Sequence, residues 1–222
     1  MNALTRLGFG IIAALTAATL IGTGPASAAT ITISPGDWVD YVSPTAATQF
    51  CTIGYVYTAP DLHTYAITAG HCRTTAAGYA RDNRSGLTGG FVRAIVDPPI
   101  SGGADYGLID FGIRSLPLSF IGDTPTANDH PQPRIGQLVC HTGVSSGQHC
   151  GRIVAAHGDD QFLTQGMPAS IPGDSGGPVW IRNADGYAHI IGIWLGEKTT
   201  AAGVQYGRFA SLTDGLQLFS DA

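Results

Sequence analysis

The segment Pro172–Pro178, PGDSGGP, sets one serine hydroxyl in a bend built of three glycines and two prolines. Gly, Pro, Asp and Ser are turn formers, so a plain surface turn is one reading. The other is a serine nucleophile with backbone N–H groups aimed beside it. A serine hydroxyl is a weak nucleophile at neutral pH. It needs a base within hydrogen-bond reach, and that base needs an orienting group. The chain has seven histidines. His71 stands apart because of its neighbours, AITAGHC: an apolar strand, then small residues, then the histidine, then a cysteine that can pin it. His63, His130, His149, His157 and His189 lack such a setting and read as ordinary surface or core residues. Two aspartates compete for the orienting role. Asp105, in GGADYGLIDF, lies at the mouth of an apolar run, where a carboxylate is partly buried. Asp110 lies inside the same run, on the opposite face of a strand.

The elements that must position these residues read as strands. Short runs rich in Val, Ile, Tyr and Phe recur between turn residues: TYAITAG, FVRAIV, YGLIDFGI, GQLVCHTG, CGRIVAAH, GPVWI, HIIGIWL and GVQYGRFA. None has the length or the 3.6-residue period of a helix. One short helix is expected near the end, Ser211–Phe219, with Ser211 as its N-cap and Asp214 three residues on. Leu116–Pro133 carries four prolines and no period, which marks a connector between two β halves. Hydrophobic residues make up 44 % of the 222, charged residues only 12 %, and there are 31 glycines, the mix of a turn-rich globular β protein. The net charge is −5 and no Lys/Arg-rich run occurs, so nucleic-acid binding lacks its electrostatic footprint.

The N-terminus reads as an export signal over residues 1–28. Arg6 precedes an apolar stretch from Leu7 to Gly22, and Ala26 and Ala28 form an A-x-A site. The stretch falls short of the roughly 20 apolar residues that a spanning helix needs, so no membrane span is expected after cleavage. The mature chain, 29–222, is expected to be secreted, with retention at the cell envelope left open. Four cysteines in an exported chain point to two disulfides in one of three pairings, and Cys51–Cys72 with Cys140–Cys150 is the simplest. No C-x-x-C occurs and the histidines are scattered, so neither metal nor cofactor is expected.

The residues TAGHC (68–72), DYGLI (105–109) and GDSGGP (173–178) resemble the three signatures of the chymotrypsin-like serine proteases, in that family's chain order. The segments LVCHTGVSSGQHCGRIV and LTQGMPASIPGDSGGP are similar to the bacterial secreted branch, the α-lytic and streptogrisin-like enzymes. The resemblance spans roughly residues 50–210. It implies an all-β fold of two six-stranded antiparallel barrels, about 45–117 and 134–210, with the active site between them. It implies a catalytic triad of His71, Asp105 and Ser175, and an oxyanion hole from the N–H groups of Gly173 and Ser175. It places the P1 pocket walls at Ser170, Ile171 and Pro172 and at Trp194, Leu195 and Gly196. The activity implied is hydrolysis of peptide bonds in a peptide or protein substrate, by a monomer.

The chain departs from the family pattern in four places. No Lys or Arg precedes Arg73 after the signal, which closes the animal-type activation route. Too little chain lies between Ala28 and Cys51 for a long folding pro-segment. His141 stands where bacterial relatives carry an arginine that pairs with the aspartate before the serine, so an Asp174–His141 pair is expected. Leu195 stands where a serine normally supports the catalytic aspartate, and Ala169 leaves the pocket without a deep acid. Glu197 is the one acid near its rim. These departures sustain a second reading, an impaired protease homologue that acts as a secreted or cell-surface binding protein. Residues 173–177 also fit the G-x-S-x-G elbow of α/β-hydrolases, but the order His, Asp, Ser and the lack of helix–strand alternation argue against that fold.

Overall fold

The computed structural model describes residues 30–98 and 101–220. The segment read as an export signal, 1–28, lies outside them. After the short strand β1 (Ile31–Ile33), seven strands make one sheet: β2 (Trp38–Val42), β3 (Gln49–Thr52), β4 (Tyr55–Thr58), β5 (Thr64–Thr68), β6 (Tyr79–Asp82), β7 (Thr88–Val96) and β8 (Asp105–Asp110). Their order is β3-β2-β6-β7-β8-β5-β4. The two edge strands, β3 and β4, are consecutive in the chain, with only Ile53 and Gly54 between them. They are one strand with a kink. Its first half pairs with β2 and its second half with β5. Counted that way, six strands curl round and meet, which matches the six-stranded expectation. The kink falls where the other half of the chain comes close. Gly54 donates its N–H to the Ile67 carbonyl at 2.8 Å. A Cβ at this position would strike the Gly176 carbonyl and the Ile193 side chain of the other half.

The first barrel starts earlier than the expected residue 45. The run WVDYV hides an aspartate inside a strand, which disguises the alternation. Asp40 is buried there because Arg81 (2.7 Å) and the Trp38 indole N–H (2.8 Å) satisfy its carboxylate. These hydrogen bonds outweigh burial and hold its pKa below the ordinary value.

The connector opens with β9 (Ser115–Pro117), which returns to pair in parallel with β1. A small hairpin follows, β10 (Phe120–Ile121) with β11 (Thr124–Pro125). The second half is a closed barrel of six strands: β12 (Leu138–Gly143), β13 (Gly147–His157), β14 (Gln161–Gln165), β15 (Pro178–Arg182), β16 (Ala188–Thr199) and β17 (Gln205–Ser211), in the order β12-β13-β14-β17-β16-β15. The helix α1 (Leu212–Ser220) follows β17, and Ser211 Oγ caps it by accepting the Asp214 N–H. Tyr106 on β8 donates its hydroxyl to the Ser211 carbonyl at 2.8 Å, tying the first barrel to the base of that helix.

One apolar cluster runs through the first barrel and across the seam. It joins Ile53, Ile67, Tyr106 and Ile109 to Trp180, Ile190, Ile193 and Leu195 of the second. A second cluster, built on Trp194, Phe209, Val179 and Ile191, fills the second barrel alone. The seam is thus a packed core, and the residues above it are held in fixed register.

Candidate active site

His71 lies on a single 3-10 turn, Gly70–Cys72, at the end of β5. Two bonds attach it to Asp105, the first residue of β8. The backbone N–H of His71 donates to Oδ1 at 2.9 Å, and Nδ1 meets Oδ2 at 2.8 Å. A carboxylate that grips both backbone and ring fixes the ring's rotation. It also fixes its tautomer, because Nδ1 must carry the proton that Oδ2 accepts. The Cys51–Cys72 disulfide ties the same turn to β3, and Cys140–Cys150 crosslinks β12 and β13. Both expected pairings are present. The competing aspartate, Asp110, is engaged elsewhere. Both its oxygens lie 2.9 Å from His63 Nδ1, and this bond raises the His63 pKa.

Ser175 sits in the turn between residue 170 and β15. Its carbonyl accepts the Thr52 N–H at 2.8 Å. The next residue, Gly176, donates to the Trp194 carbonyl at 2.7 Å and packs against Thr68, Thr52 and Ala69, close before His71. Gly173 (φ +102°) and Gly176 (φ +87°) adopt the left-handed backbone that such a bend requires and that L side chains resist. Thr52 is a residue that sequence reasoning missed. Its Oγ1 donates to the Gly173 carbonyl at 2.7 Å and accepts the Val144 N–H at 3.0 Å. The Pro172 carbonyl accepts the Ser145 hydroxyl at 2.7 Å. Across a trans peptide this turns the Gly173 N–H the opposite way. Among the described residues, neither the N–H of Gly173 nor that of Ser175 meets a protein acceptor, and no hydrogen bond joins Ser175 Oγ to His71.

Asp174 is fully buried. Oδ1 accepts the N–H groups of Ser145 (3.1 Å) and Ser146 (3.0 Å), and Oδ2 accepts that of Ile171 (3.3 Å). These backbone donors do the work expected of a cation. His141 does come close, with Nε2 4.0 Å from Oδ2, but no hydrogen bond forms. The ring is 2 % exposed, lies flat on the Trp194 indole, and finds no hydrogen-bond partner for either nitrogen among the described residues. Burial pushes its pKa down to about 4 against a weaker pull from Asp174. His141 is therefore a neutral ring near pH 7, and the Asp174–His141 contact is one of packing.

The remaining expected residues divide. Ile171 and Pro172 are exposed beside the serine, and Ser170 meets Trp194. Leu195 does not line a cleft with its side chain, which is buried in the seam core. A β-bulge between Trp194 and Gly196 shifts the register there and turns Leu195 inward. Its carbonyl accepts Arg208 at 3.4 Å. Arg208 is a second missed residue. Its guanidinium is buried, burial lowers its pKa, and Asp105 pulls that pKa back up. This cation lies within the field of Asp105 and bonds the backbone of Leu195, the residue at the expected serine's position. Nothing around RFAS in the sequence marks it out.

No family model matches the chain. An uncharacterised protein of Mycobacterium tuberculosis, Rv1815, is 34 % identical over 154 residues, which cover 65 % of this chain and 66 % of the relative. The match spans just under two thirds of that relative's length. Serine protease 2 of Streptomyces fradiae is 29 % identical over 143 residues, covering 59 % of this chain and 79 % of the enzyme. Among solved structures, Nocardiopsis protease superposes with a TM-score of 0.62 at 19 % identity, over 85 % of this chain and 97 % of the other. Cellulomonas bogoriensis chymotrypsin does so at 0.61 and 22 %, over 86 % and 97 %. Among the described residues no helix is long and apolar enough to cross a membrane. The chain has the two-barrel fold of these bacterial chymotrypsin-like serine proteases, and its sequence is similar to Serine protease 2 of Streptomyces fradiae.

Proposed function

We propose that the chain is an exported serine endopeptidase that works as a monomer, without cofactor, on peptide or protein substrates. The observation that carries this is the double attachment of His71 to Asp105, on a turn that packs beside the serine loop. Ser175 Oγ attacks the scissile carbonyl while His71 Nε2 takes its proton. The N–H groups of Gly173 and Ser175 donate to the resulting oxyanion. Asp105 holds the Nδ1 proton and stabilises the imidazolium. His71 then gives its proton to the leaving amine. Water, activated by the same ring, releases the acyl group and restores the serine. Ser170, Ile171, Pro172, Trp194 and Gly196 form the P1 side, with Leu195 contributing backbone alone.

One observation favours the second reading, an impaired homologue that binds without cleaving. Among the described residues, Ser175 Oγ makes no hydrogen bond to His71. Such bonds are often long in substrate-free sites and tighten on binding, so the enzyme reading stands first. A fluorophosphonate probe decides between them, because it needs an activated serine and an oxyanion hole but no particular P1 residue. Labelling of the mature chain that disappears in Ser175→Ala supports the enzyme. A folded, disulfide-intact chain that resists labelling between pH 5 and 9 supports the binding protein.

A further inference from the structure

The two sides of Ser175 are unequal. Toward β3 the serine opens onto a cleft of about 370 Å³ lined by Phe50, Cys51 and Pro172. On the proposed P1 side, Ser170 is hydrogen-bonded to both Trp194 and Glu197 of the facing wall. Trp194 is 1 % exposed and fixed on three sides. Its ring lies flat on His141, with centroids 4.3 Å apart and planes 10° apart. Its Nε1–H donates to Ser170 Oγ at 3.0 Å. Its far edge rests on Gly207, where any Cβ would collide with it. Behind it, the gap among Trp194, His141, His149, Met167, Ala169 and Asp174 has no room for a water molecule. The mouth is bridged as well. The Ser170 N–H donates to Glu197 Oε1 at 2.7 Å, so one pocket wall is hydrogen-bonded to the other.

We propose that Trp194, behind the Ser170–Glu197 bridge, fills the P1 pocket and limits the chain to substrates with glycine or alanine at P1. This rests on the serine-peptidase reading of Ser175 and on the pocket walls named above. A pocket that accepts a large side chain must hold a void of that side chain's size, and a closed, close-packed one excludes it by overpacking. Admitting leucine here means breaking the Ser170 bond, unstacking the indole from His141 and opening the core of the second barrel. A methyl group needs none of this. The bridge also redefines Glu197. Its carboxylate is engaged by a backbone N–H, so it is a strut between the walls and not a lure for a basic P1 side chain. One methylene at a pocket of fixed shape changes kcat/KM by about 10- to 200-fold, so discrimination against leucine or phenylalanine is expected to exceed about 100-fold.

The test is the set of bonds that the mature chain cuts in an unbiased peptide mixture, read by mass spectrometry. Glycine or alanine at P1 is the expected result. Leucine, phenylalanine, lysine or glutamate at P1 overturns the proposal while leaving the triad intact. Trp194→Val is expected to shift cleavage toward leucine and phenylalanine. Trp194→Phe, which keeps more of the packing, serves if the valine variant does not fold. A Ser175→Ala chain separates the two readings, because it cannot cleave but keeps the pocket. Alanine-terminated peptides should bind it at least about tenfold more tightly than phenylalanine-terminated ones. Equal binding, or binding of neither, overturns the pocket proposal. Absence of fluorophosphonate labelling overturns the triad instead.

Discussion

Thr52 and Gly173, far apart in the chain, are joined by a buried hydrogen bond of 2.7 Å from hydroxyl to carbonyl. The bond runs from the kinked strand of the first barrel to the serine loop of the second. The same oxygen accepts the Val144 N–H at 3.0 Å, so one hydroxyl fixes both loops that frame Ser175. Thr52→Val keeps the shape and removes the hydroxyl. It strands one acceptor and one donor, at a cost of roughly 1–3 kcal/mol in stability. The rate of fluorophosphonate labelling should fall with it, since the Gly173 peptide loses its anchor. Chemical denaturation and labelling kinetics on the same samples check both. Unchanged labelling in a destabilised variant separates the two effects and denies Thr52 a part in aligning the loop.

The two aspartates that compete in the sequence give opposite expectations. Asp105→Asn leaves an amide where Nδ1–H needs an acceptor. The ring then turns to the wrong tautomer, and the loss in kcat is on the order of 10⁴ by analogy with the serine-protease triad. Asp110→Asn touches the His63 pair and the Gly112 N–H, not the triad, and should leave kcat within about twofold of wild type, well under the tenfold that 1.4 kcal/mol represents. Single-turnover acylation with an alanine-P1 ester substrate measures both. A large loss in Asp110→Asn reverses the assignment.

Much of this was legible in the sequence, for identifiable reasons. His71, Asp105 and Ser175 each lie in short local motifs, and both disulfide pairs are close in sequence. The strands with clean apolar runs, such as Thr64–Thr68 and Pro178–Arg182, announce themselves. Trp38–Val42 does not, because Asp40 interrupts its pattern and is tolerated only through Arg81 and Trp38. The kink at Gly54 is invisible for a related reason, since its cause is the approach of Gly176 from the other barrel. The same holds for Thr52, Arg208 and the Ser170–Glu197 bridge. Each is defined by a partner distant in sequence, and an ordinary threonine, arginine or glutamate carries no local mark of that role. His141 was visible as a departure, but its neutral state follows from burial against Trp194, which no spacing reveals.

Arg208 is a buried cation that feels the charge of Asp105 without an ion pair to it, while Asp105 itself serves His71. Removing it relieves the cost of burying a guanidinium, so Arg208→Met should change stability little. It also removes positive charge from beside Asp105, which then holds its negative charge and the Nδ1 proton less firmly placed. The expected effect is a fall in kcat on the order of tenfold, equivalent to about 1.4 kcal/mol, with KM unchanged. Arg208→Lys should restore part of the rate. A loss confined to KM, or equal losses in the lysine and methionine variants, removes Arg208 from the positioning of Asp105.

His141 is expected to weaken the fold in acid. In the unfolded chain a histidine titrates near 6.5, whereas in the folded protein burial holds it neutral down to about 4. Between those values the unfolded state binds the extra proton. Stability is therefore full above about pH 6.5 and falls as the pH drops toward 4, by roughly 3 kcal/mol for this one group. The lost stability falls on the second barrel, where the charged ring would sit against Trp194 and the wall of the serine loop. His141→Phe keeps the stacking and cannot titrate. Its melting temperature should stay flatter between pH 7 and pH 4 than that of the wild type, with the two curves converging at neutral pH. Parallel curves for the two chains would assign the acid limit to other groups, of which buried Asp82, whose pKa burial raises, is not a candidate because its sign is opposite.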